Sequence, residues 1–445
     1  MFLRFTFFIL LFPLLSIAQN SVVKGKLTPK EEQHNSLVIY QMKGSELEFI
    51  NYGQISEDGS FSIDIPEDCM AGMYLLKFSY GRNGFIRFIF NHSDIELNID
   101  TKNPSENISF INSEENKLYL SFLKSSKNFN KKIDSIAALY IKSNSQKDKR
   151  NYKKLVKKYL EFNAEKINEA EGMIAVDYFK AAQKYHTNEP ATNQKEKLEN
   201  EKKYFFHYID FNNEGLINSP ILLRSAIKYI LSTGQPKNLK EEENLLIENI
   251  NQVLAMASNM TVKSDMITEL IYVFTNQENK KVVQHLLAQH YYQLPADIQD
   301  KELIKNTQSK LSVAIGEVAP NFKWVEKGVQ KELKSINKAN NYILVFWSTT
   351  CSHCEKQIPK LYEFTKDRKD VHVISYALEN EKNEFKKYEQ QFTGWTNILG
   401  LEKWENPVAI KYQIDATPTY IVLDSDKKII GKPYGIKELK EFLEK

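Results

Sequence analysis

The chain has 445 residues, of which 42% are hydrophobic and 12% aromatic, a composition typical of folded domains rather than of disordered segments. Its 60 Lys and Arg residues nearly balance its 57 Asp and Glu residues, and no basic block concentrates the positive charge. The balance argues against nucleic acid as a partner and against a strongly acidic substrate. A chain of this length is expected to form two to four separately cored domains.

The first segment, residues 1–18, has the pattern of a cleaved secretion signal. Arg4 precedes an apolar run over residues 5–15, and residues 16–18 (SIA) form the small-x-small ending that signal peptidase requires. The run is shorter than the roughly 20 residues that a membrane-spanning helix needs. We therefore expect an exported protein of the periplasm or cell envelope that is soluble once its signal peptide has been cleaved.

Residues 19–112 show the period-two alternation of half-buried strands. Residues 61–65 and 95–99 alternate apolar with polar side chains, and turn signals such as Asp58-Gly59 separate runs of this kind. The pattern predicts an antiparallel β-sandwich. Cys69 lies between two of the strand-like runs and is interpreted as a buried small hydrophobic residue.

Residues 113–312 have a helical pattern. Glycine almost vanishes, and apolar residues such as Leu246, Ile250 and Val253 share one helix face. Two histidines in this region, His285 and His290, are five residues apart, whereas zinc ligands on one helix normally lie three or four apart. We therefore predict an all-α region without a metal site.

Residues 313–445 alternate between strand and helix, which predicts an α/β domain. Residues 342–347 form an uninterrupted apolar run, as expected for a central strand that is buried on both faces. A short loop leads from this strand to Cys351, and residues 354–366 have the apolar spacing of a helix. Cys351 is therefore predicted to lie at a helix N-terminus.

Cys351 and Cys354 are the candidate catalytic residues. Three cysteines in an exported chain of this length cannot form a stabilising disulfide framework, so the close pair requires another explanation. The free N–H groups of a helix N-terminus stabilise a thiolate and lower the pKa of the thiol. We predict that Cys351 attacks the disulfide of a partner and that Cys354, which is more shielded, resolves the mixed disulfide. His353 either stabilises the thiolate electrostatically or is a solvated spacer.

Three motifs give this region a specific resemblance to a known family. They are residues 347–354 (WSTTCSHC) with Pro359 in the helix that follows, residues 416–420 (ATPTY) and residues 316–322 (GEVAPNF). Together they resemble the exported TlpA/ResA group of thiol-disulfide oxidoreductases, which have a thioredoxin-like fold, and the resemblance extends over about residues 314–445. The β-rich region resembles the module that often precedes such domains in exported bacterial proteins.

The resemblance implies a function and partners. It implies a protein thiol-disulfide oxidoreductase that needs no cofactor, exchanges disulfides with protein substrates and receives electrons from a membrane thiol donor. Members of the group serve cytochrome c maturation or disulfide repair, so a reductase is expected rather than an oxidase.

The resemblance also implies supporting residues. Pro418 would be cis and face the cysteines, the backbone of Thr417 would pair with the substrate, and Trp347 would support the pair. Thioredoxin has a buried aspartate where this chain has Val345, so another residue must accept protons. Glu379, after the strand-like residues 371–378, is the nearest positional match, although it could equally be a solvated loop or helix-cap residue.

Two other functions were weighed against disulfide exchange. A peroxiredoxin would have proline and threonine where this chain has Leu344 and Ser348. A copper or zinc carrier could use the two thiolates with His353 or His372. Because one cysteine pair supplies only half of a typical tetrahedral site, disulfide exchange is preferred. The copper carrier is kept as the alternative.

Overall fold

The computed structural model describes residues 20–79, 84–232, 234, 236–382 and 385–444. The predicted secretion signal, residues 1–18, lies outside these residues. The chain forms two compact units, of which the first ends at Met266 and the second begins at Ile267. In the described ranges, no helix has both the length and the apolar character needed to cross a membrane.

The first unit begins with strands that form two four-stranded sheets. The strands are β1 (Ser21–Thr28), β2 (Ser36–Lys43), β3 (Glu46–Gln54), β4 (Ser60–Ile65), β5 (Gly72–Lys77), β6 (Phe85–Phe90), β7 (Ile95–Asp100) and β8 (Ile108–Phe110). One sheet has the order β4-β1-β7-β8 and the other β3-β2-β5-β6. Val23 and Leu97 of the first sheet and Leu37 and Phe88 of the second belong to one hydrophobic cluster, so the sheets pack face to face as a sandwich.

One pairing in the sandwich differs from the antiparallel pattern expected from the sequence. Strand β1 pairs in parallel with β7, although its other neighbour, β4, is antiparallel. The alternation of apolar and polar residues shows which face of a strand is buried, but it carries no information about the direction of the neighbouring strand.

The first unit continues with helices, as the sequence predicted. They are α1 (Glu114–Ser143), α2 (Gln146–Glu169), α3 (Ala175–Ala181), α4 (Gln194–Lys203), α5 (Ile221–Ile230) and α6 (Leu239–Met256), followed by α7 (Met260–Asn276), within which the division between the units falls. Helix α1 begins after Ser113, whose side chain accepts a hydrogen bond from the N–H of Asn116. Such a cap satisfies one of the backbone donors that a helix start leaves unpaired.

The second unit contains the remaining helices and a mixed sheet. Its helices after α7 are α8 (Lys280–Gln289), α9 (Lys301–Leu311), α10 (Ser352–Thr365), α11 (Phe385–Gln391), α12 (Pro407–Lys411) and α13 (Ile436–Leu443). Its strands are β9 (Lys323–Glu326), β10 (Val329–Glu332), β11 (Asn341–Trp347), β12 (Val371–Leu378), β13 (Thr396–Gly400), β14 (Thr419–Leu423) and β15 (Ile429–Gly431). Strands β9 and β10 form a hairpin, and the others form one sheet of order β13-β12-β11-β14-β15.

Strand β11 is the centre of this sheet, as predicted from its apolar sequence. It is parallel to β12 and antiparallel to β14. Its successive residues face opposite sides of the sheet, so Leu344 belongs to one hydrophobic cluster and Val345 to another. Both faces are therefore covered, which explains why the strand has no polar interruption.

The predicted architecture of an N-terminal β region, a helical middle and a C-terminal α/β domain is confirmed. Helix α1 begins at Glu114 and α9 ends at Leu311. The domain boundaries after residues 112 and 312 stay predictions.

Candidate active site

The central strand places Cys351 at the start of a helix. Strand β11 ends at Trp347, a short loop follows, and Cys351 is the N-cap residue of α10, with extended backbone dihedrals of φ −96° and ψ 116°. The predicted helix position of Cys351 is therefore confirmed. Its thiol lies where the unpaired N–H groups of the first helical turn converge.

The two thiols differ in their exposure to solvent. Cys354 is fully buried, in the same hydrophobic cluster as Val345 and Trp347, whereas Cys351 is only partly buried at the edge of that cluster. Both are free thiols in the structure. A substrate disulfide can thus approach Cys351 more readily than Cys354.

The surroundings shift the pKa values of the two thiols in opposite directions. Partial burial raises the pKa of Cys351. Hydrogen bonds from the backbone and thiol of Cys354, the side chain of Thr417 and the backbone of His353 outweigh this effect, so the pKa falls below its ordinary value. Burial raises the pKa of Cys354 to about 12. Because the thiolate is the nucleophile, Cys351 is the more reactive of the pair near neutral pH.

Thr417 and Pro418 lie immediately before β14, the strand beside β11, and Thr417 contacts Cys351. Strand β14 pairs with β11 so that Thr419 lies opposite Phe346, which places the start of β14 beside the end of the central strand. The Thr417–Pro418 peptide bond is cis. The Sγ atom of Cys351 lies 3.4 Å from the carbonyl oxygen of Thr417 and donates to it.

Glu379 lies beneath the loop that precedes Cys351. It follows β12, whose parallel register with β11 brings Ala377 opposite Trp347. The carboxylate of Glu379 is 2% exposed and accepts hydrogen bonds from the backbone N–H of Thr349 and the hydroxyl of Ser348. This burial is inconsistent with a solvated loop residue, and its contacts make Glu379 part of the structure that holds the cysteine loop.

Trp347 and His353 occupy different environments beside the pair. Trp347 is buried, and its indole N–H donates to the hydroxyl of Ser375 on β12 over 2.7 Å. His353 is exposed, and a hydrogen bond from its backbone, not its ring, helps to lower the pKa of Cys351. Trp347 therefore belongs to the packed support of the site, whereas the His353 side chain faces solvent.

Sequence reasoning missed the part that Ser348 plays in the site. Ser348 is buried, its hydroxyl lies 3.1 Å from that of Thr350, and its carbonyl oxygen accepts from the N–H of Cys351. Its backbone also acts on Cys354, opposing the rise in pKa caused by burial. The sequence feature that could have indicated this role is the run of hydroxyl residues 348–350 between the buried strand and the cysteine pair.

The other titratable groups considered for metal binding have different surroundings. Among the described residues, no group of three or more His, Cys, Asp or Glu side chains could hold a metal ion. The ring of His372 is buried and lies 2.9 Å from the hydroxyl of Thr396, while the rings of His285 and His290 contact each other at 5.5 Å. Cys69, interpreted from the sequence as a buried small hydrophobic residue, is half-buried and packs against the β-sandwich core.

Comparisons with known proteins match part of the chain. A family model described as thioredoxin-like matches residues 340–429. A thiol-disulfide oxidoreductase ResA of Bacillus cereus is 31% identical over 142 residues, which cover 30% of this chain and 78% of the relative. A protein of the same name from Bacillus thuringiensis is 30% identical over 138 residues, with coverage of 30% and 78%.

One solved structure that is similar to this chain is a domain of a possible thiol-disulfide isomerase from Cytophaga hutchinsonii. It is 34% identical and covers 29% of this chain and 90% of its own, with a TM-score of 0.26. A thioredoxin-like protein from Bacteroides caccae is 20% identical and covers 57% of this chain and 96% of its own, with a TM-score of 0.41.

Proposed function

The chain belongs to the ResA-like thiol-disulfide oxidoreductases of the thioredoxin-like family, and we propose that it exchanges disulfides with other proteins through Cys351 and Cys354. The observation that carries the proposal is the asymmetry of the pair. One thiol is accessible and has a lowered pKa at a helix N-terminus, and the other is buried one turn away with a raised pKa.

The proposed reduction proceeds in two steps. The Cys351 thiolate attacks one sulfur of the substrate disulfide, the substrate S–S bond breaks, and the released substrate thiolate takes up a proton. Cys354 then loses its proton and attacks Sγ of Cys351, which releases the second substrate thiolate and leaves a Cys351–Cys354 disulfide. Two electrons have passed to the substrate, and an external dithiol must reduce the pair again.

Each supporting residue has a part in this scheme. The carbonyl oxygen of Thr417, already in contact with Cys351, would accept a backbone hydrogen bond from an extended substrate segment, and Pro418 would lie beside the same segment. Glu379 would hold the loop and accept the proton that Cys354 releases. His353 would add a solvent-facing polar group beside the thiolate, and Trp347 would support the buried side of the pair.

The proposed setting is the periplasm or cell envelope. The secretion-signal pattern of residues 1–18 supports export, and the similarity to ResA supports a reductase rather than an oxidase. An exported reductase needs an electron supply from outside its own compartment, so we propose a membrane thiol donor as a partner. Substrates would be protein disulfides, including those of apocytochromes during cytochrome c maturation.

The experiment that tests the proposal is the capture of mixed disulfides. We expect the Cys354→Ala variant to accumulate covalent complexes with a disulfide-containing substrate, because Cys351 attacks and nothing resolves the product. The Cys351→Ala variant should form none, and Cys69→Ala, the matched control, should behave like the wild type. Equal trapping by Cys351→Ala would contradict the assignment of the nucleophile.

The reduction potential then decides the direction and tests the alternative. A reduction potential of about −270 mV, measured against glutathione, would support a reductase, whereas a potential of about −120 mV would indicate an oxidant. A pair that stays copper-bound under reducing conditions and forms no reversible disulfide would favour the copper carrier.

A further inference from the structure

A cavity lies in the first unit. It has a volume of about 430 Å³ and is bounded by strand β6, the first half of α1, the start of α5 and the turn before β8. Pockets that hold small organic ligands generally have volumes of about 300–1,000 Å³. The cavity is therefore large enough for a small molecule.

Most of the wall of this cavity is apolar. The apolar side chains include Phe85, Ile108, Phe110, Leu120, Leu123 and Ile221. They come from strands β6 and β8 and from helices α1 and α5, so a ligand would be surrounded rather than laid on a flat face. An apolar body would leave water on entering this space, which is favourable in proportion to the area that it buries.

The charged side chains of the wall are two arginines, Arg87 and Arg224. No Asp or Glu is found among the described residues that line the cavity. Within the described ranges, neither arginine side chain forms an ion pair. The guanidinium carbon of Arg87 lies 4.9 Å from the centroid of the Phe85 ring. Both arginines are exposed, so their charges are accessible to a solute.

Both guanidinium groups belong to residues that line this one cavity, and the charge of one acts on the other. Partial burial lowers the pKa of Arg87, and the positive charge of Arg224 lowers it further. Tyr119 lies near both: burial raises the pKa of its hydroxyl to about 12, while Arg224 and Arg87 oppose the rise. Two like charges in the wall of one apolar cavity repel each other, and an anion placed between them would remove the repulsion.

We propose that this cavity binds a small organic anion, with one carboxylate or phosphate group between Arg87 and Arg224 and an apolar body against β6 and α1. Arginine suits the role because its planar fork donates two parallel hydrogen bonds to either kind of oxyanion. The hydroxyl groups of Tyr119 and Ser225 supply further donors on the same wall. The site requires neither cysteine of the active site and is independent of the proposed disulfide exchange.

Titration calorimetry with simple amphiphiles tests the proposal. Octanoate and octyl phosphate are the probes, octanol and octylammonium lack the negative charge, and acetate and inorganic phosphate lack the apolar body. We expect saturable binding of the two probes at one site and markedly weaker binding of all four controls. Shortening the probe by one CH₂ group should weaken binding about fourfold.

Variants of the full chain assign the site. Arg87→Gln and Arg224→Gln should each weaken octanoate binding about ten- to hundredfold, because each removes a charged hydrogen-bond partner. Arg150→Gln, which changes an exposed arginine of α2 outside the lining, is the matched control and should bind like the wild type. Cys351→Ser should also bind normally, so failure of this proposal is distinguishable from failure of the proposed function.

Three results would overturn the inference. They are equal octanoate affinity in the wild type and in both arginine variants, equal affinity for octanol and octanoate, and binding of a triglutamate peptide without binding of either octyl anion. The last result would assign the arginines to an acidic protein partner instead. Circular dichroism of each variant shows that lost binding is not lost folding.

Discussion

Cys351 and Cys354 are three residues apart in the chain, yet their chemical environments are opposite. The helix start offers N–H groups to Cys351, and these outweigh its partial burial. Cys354 faces the hydrophobic cluster beneath the helix and has no comparable compensation. The difference between nucleophile and resolving thiol is therefore a consequence of one helical turn.

The lowered pKa of Cys351 predicts its alkylation profile. In a Cys69→Ser background, we expect the rate of iodoacetamide modification of Cys351 to rise with pH and to reach half of its maximum at a lower pH than an ordinary thiol does. Mass spectrometry identifies the modified residue. Cys354→Ala should move the midpoint to higher pH, because it removes the hydrogen bond of the Cys354 thiol. A midpoint at or above the ordinary value in the parent would contradict the assignment.

The contacts of Glu379 predict a difference between two substitutions. Gln can still accept from the Thr349 N–H and can donate to Ser348, whereas Ala leaves the buried N–H without its partner. We expect Glu379→Ala to lower the free energy of unfolding by about 1–3 kcal/mol and Glu379→Gln to change it much less. Urea unfolding followed by tryptophan fluorescence measures both. Equal losses in the two variants would show that charge, rather than hydrogen bonding, holds the loop.

At the scale of elements, strand β12 holds a titratable group in the sheet. His372 is buried, its ring contacts the hydroxyl of Thr396 on β13, and burial together with the charge of Lys338 lowers its pKa to about 4. The folded chain therefore keeps this histidine neutral, whereas the unfolded chain protonates it below about pH 6.5. Stability is lost as the pH falls from the unfolded to the folded value, because the unfolded state binds more protons there.

This titration predicts an acid-dependent loss of stability in the second unit. Between pH 7 and pH 4.5, His372 should account for about 2 kcal/mol of the loss in unfolding free energy, and His372→Gln should remove that part. All four tryptophans, Trp324, Trp347, Trp395 and Trp404, lie in this unit, so fluorescence reports on its unfolding.

The matched control is His186→Gln. The pKa of His186 is also lowered to about 4, mainly by burial, but this residue belongs to the first unit. Its substitution should leave the acid dependence of the tryptophan signal unchanged. If the two variants change the acid dependence of the tryptophan signal equally, His372 is not the cause of the stability loss.

At the scale of the whole molecule, the export proposal predicts a defined N-terminus. We expect the protein recovered from the cell envelope to begin at Gln19, because residues 16–18 have the small-x-small pattern. Intact-mass measurement identifies the terminus. Ala18→Lys should block cleavage, whereas the matched change Asn20→Lys should not. Recovery of the wild-type chain with residues 1–18 intact would contradict the proposal.

The amino-acid sequence by itself determined much of the local structure and the reactive pair. An apolar run without interruption identified β11 as a strand covered on both faces, and the spacing of Cys351 and Cys354 after it placed the first thiol at a helix start. These features depend on residues close together in the chain. Periodicity and capping are local properties, so they can be predicted from the sequence alone.

Only the tertiary structure decided which distant residues meet. Three features join residues that are far apart in sequence. They are the parallel pairing of β1 with β7, the contact of Glu379 with the loop at Thr349, and the presence of Arg87 and Arg224 in the wall of one cavity. A residue pattern shows which face of an element is buried, but not which other element covers it. That choice depends on strand order, register and side-chain packing over the whole chain, and therefore becomes visible only when the elements are assembled.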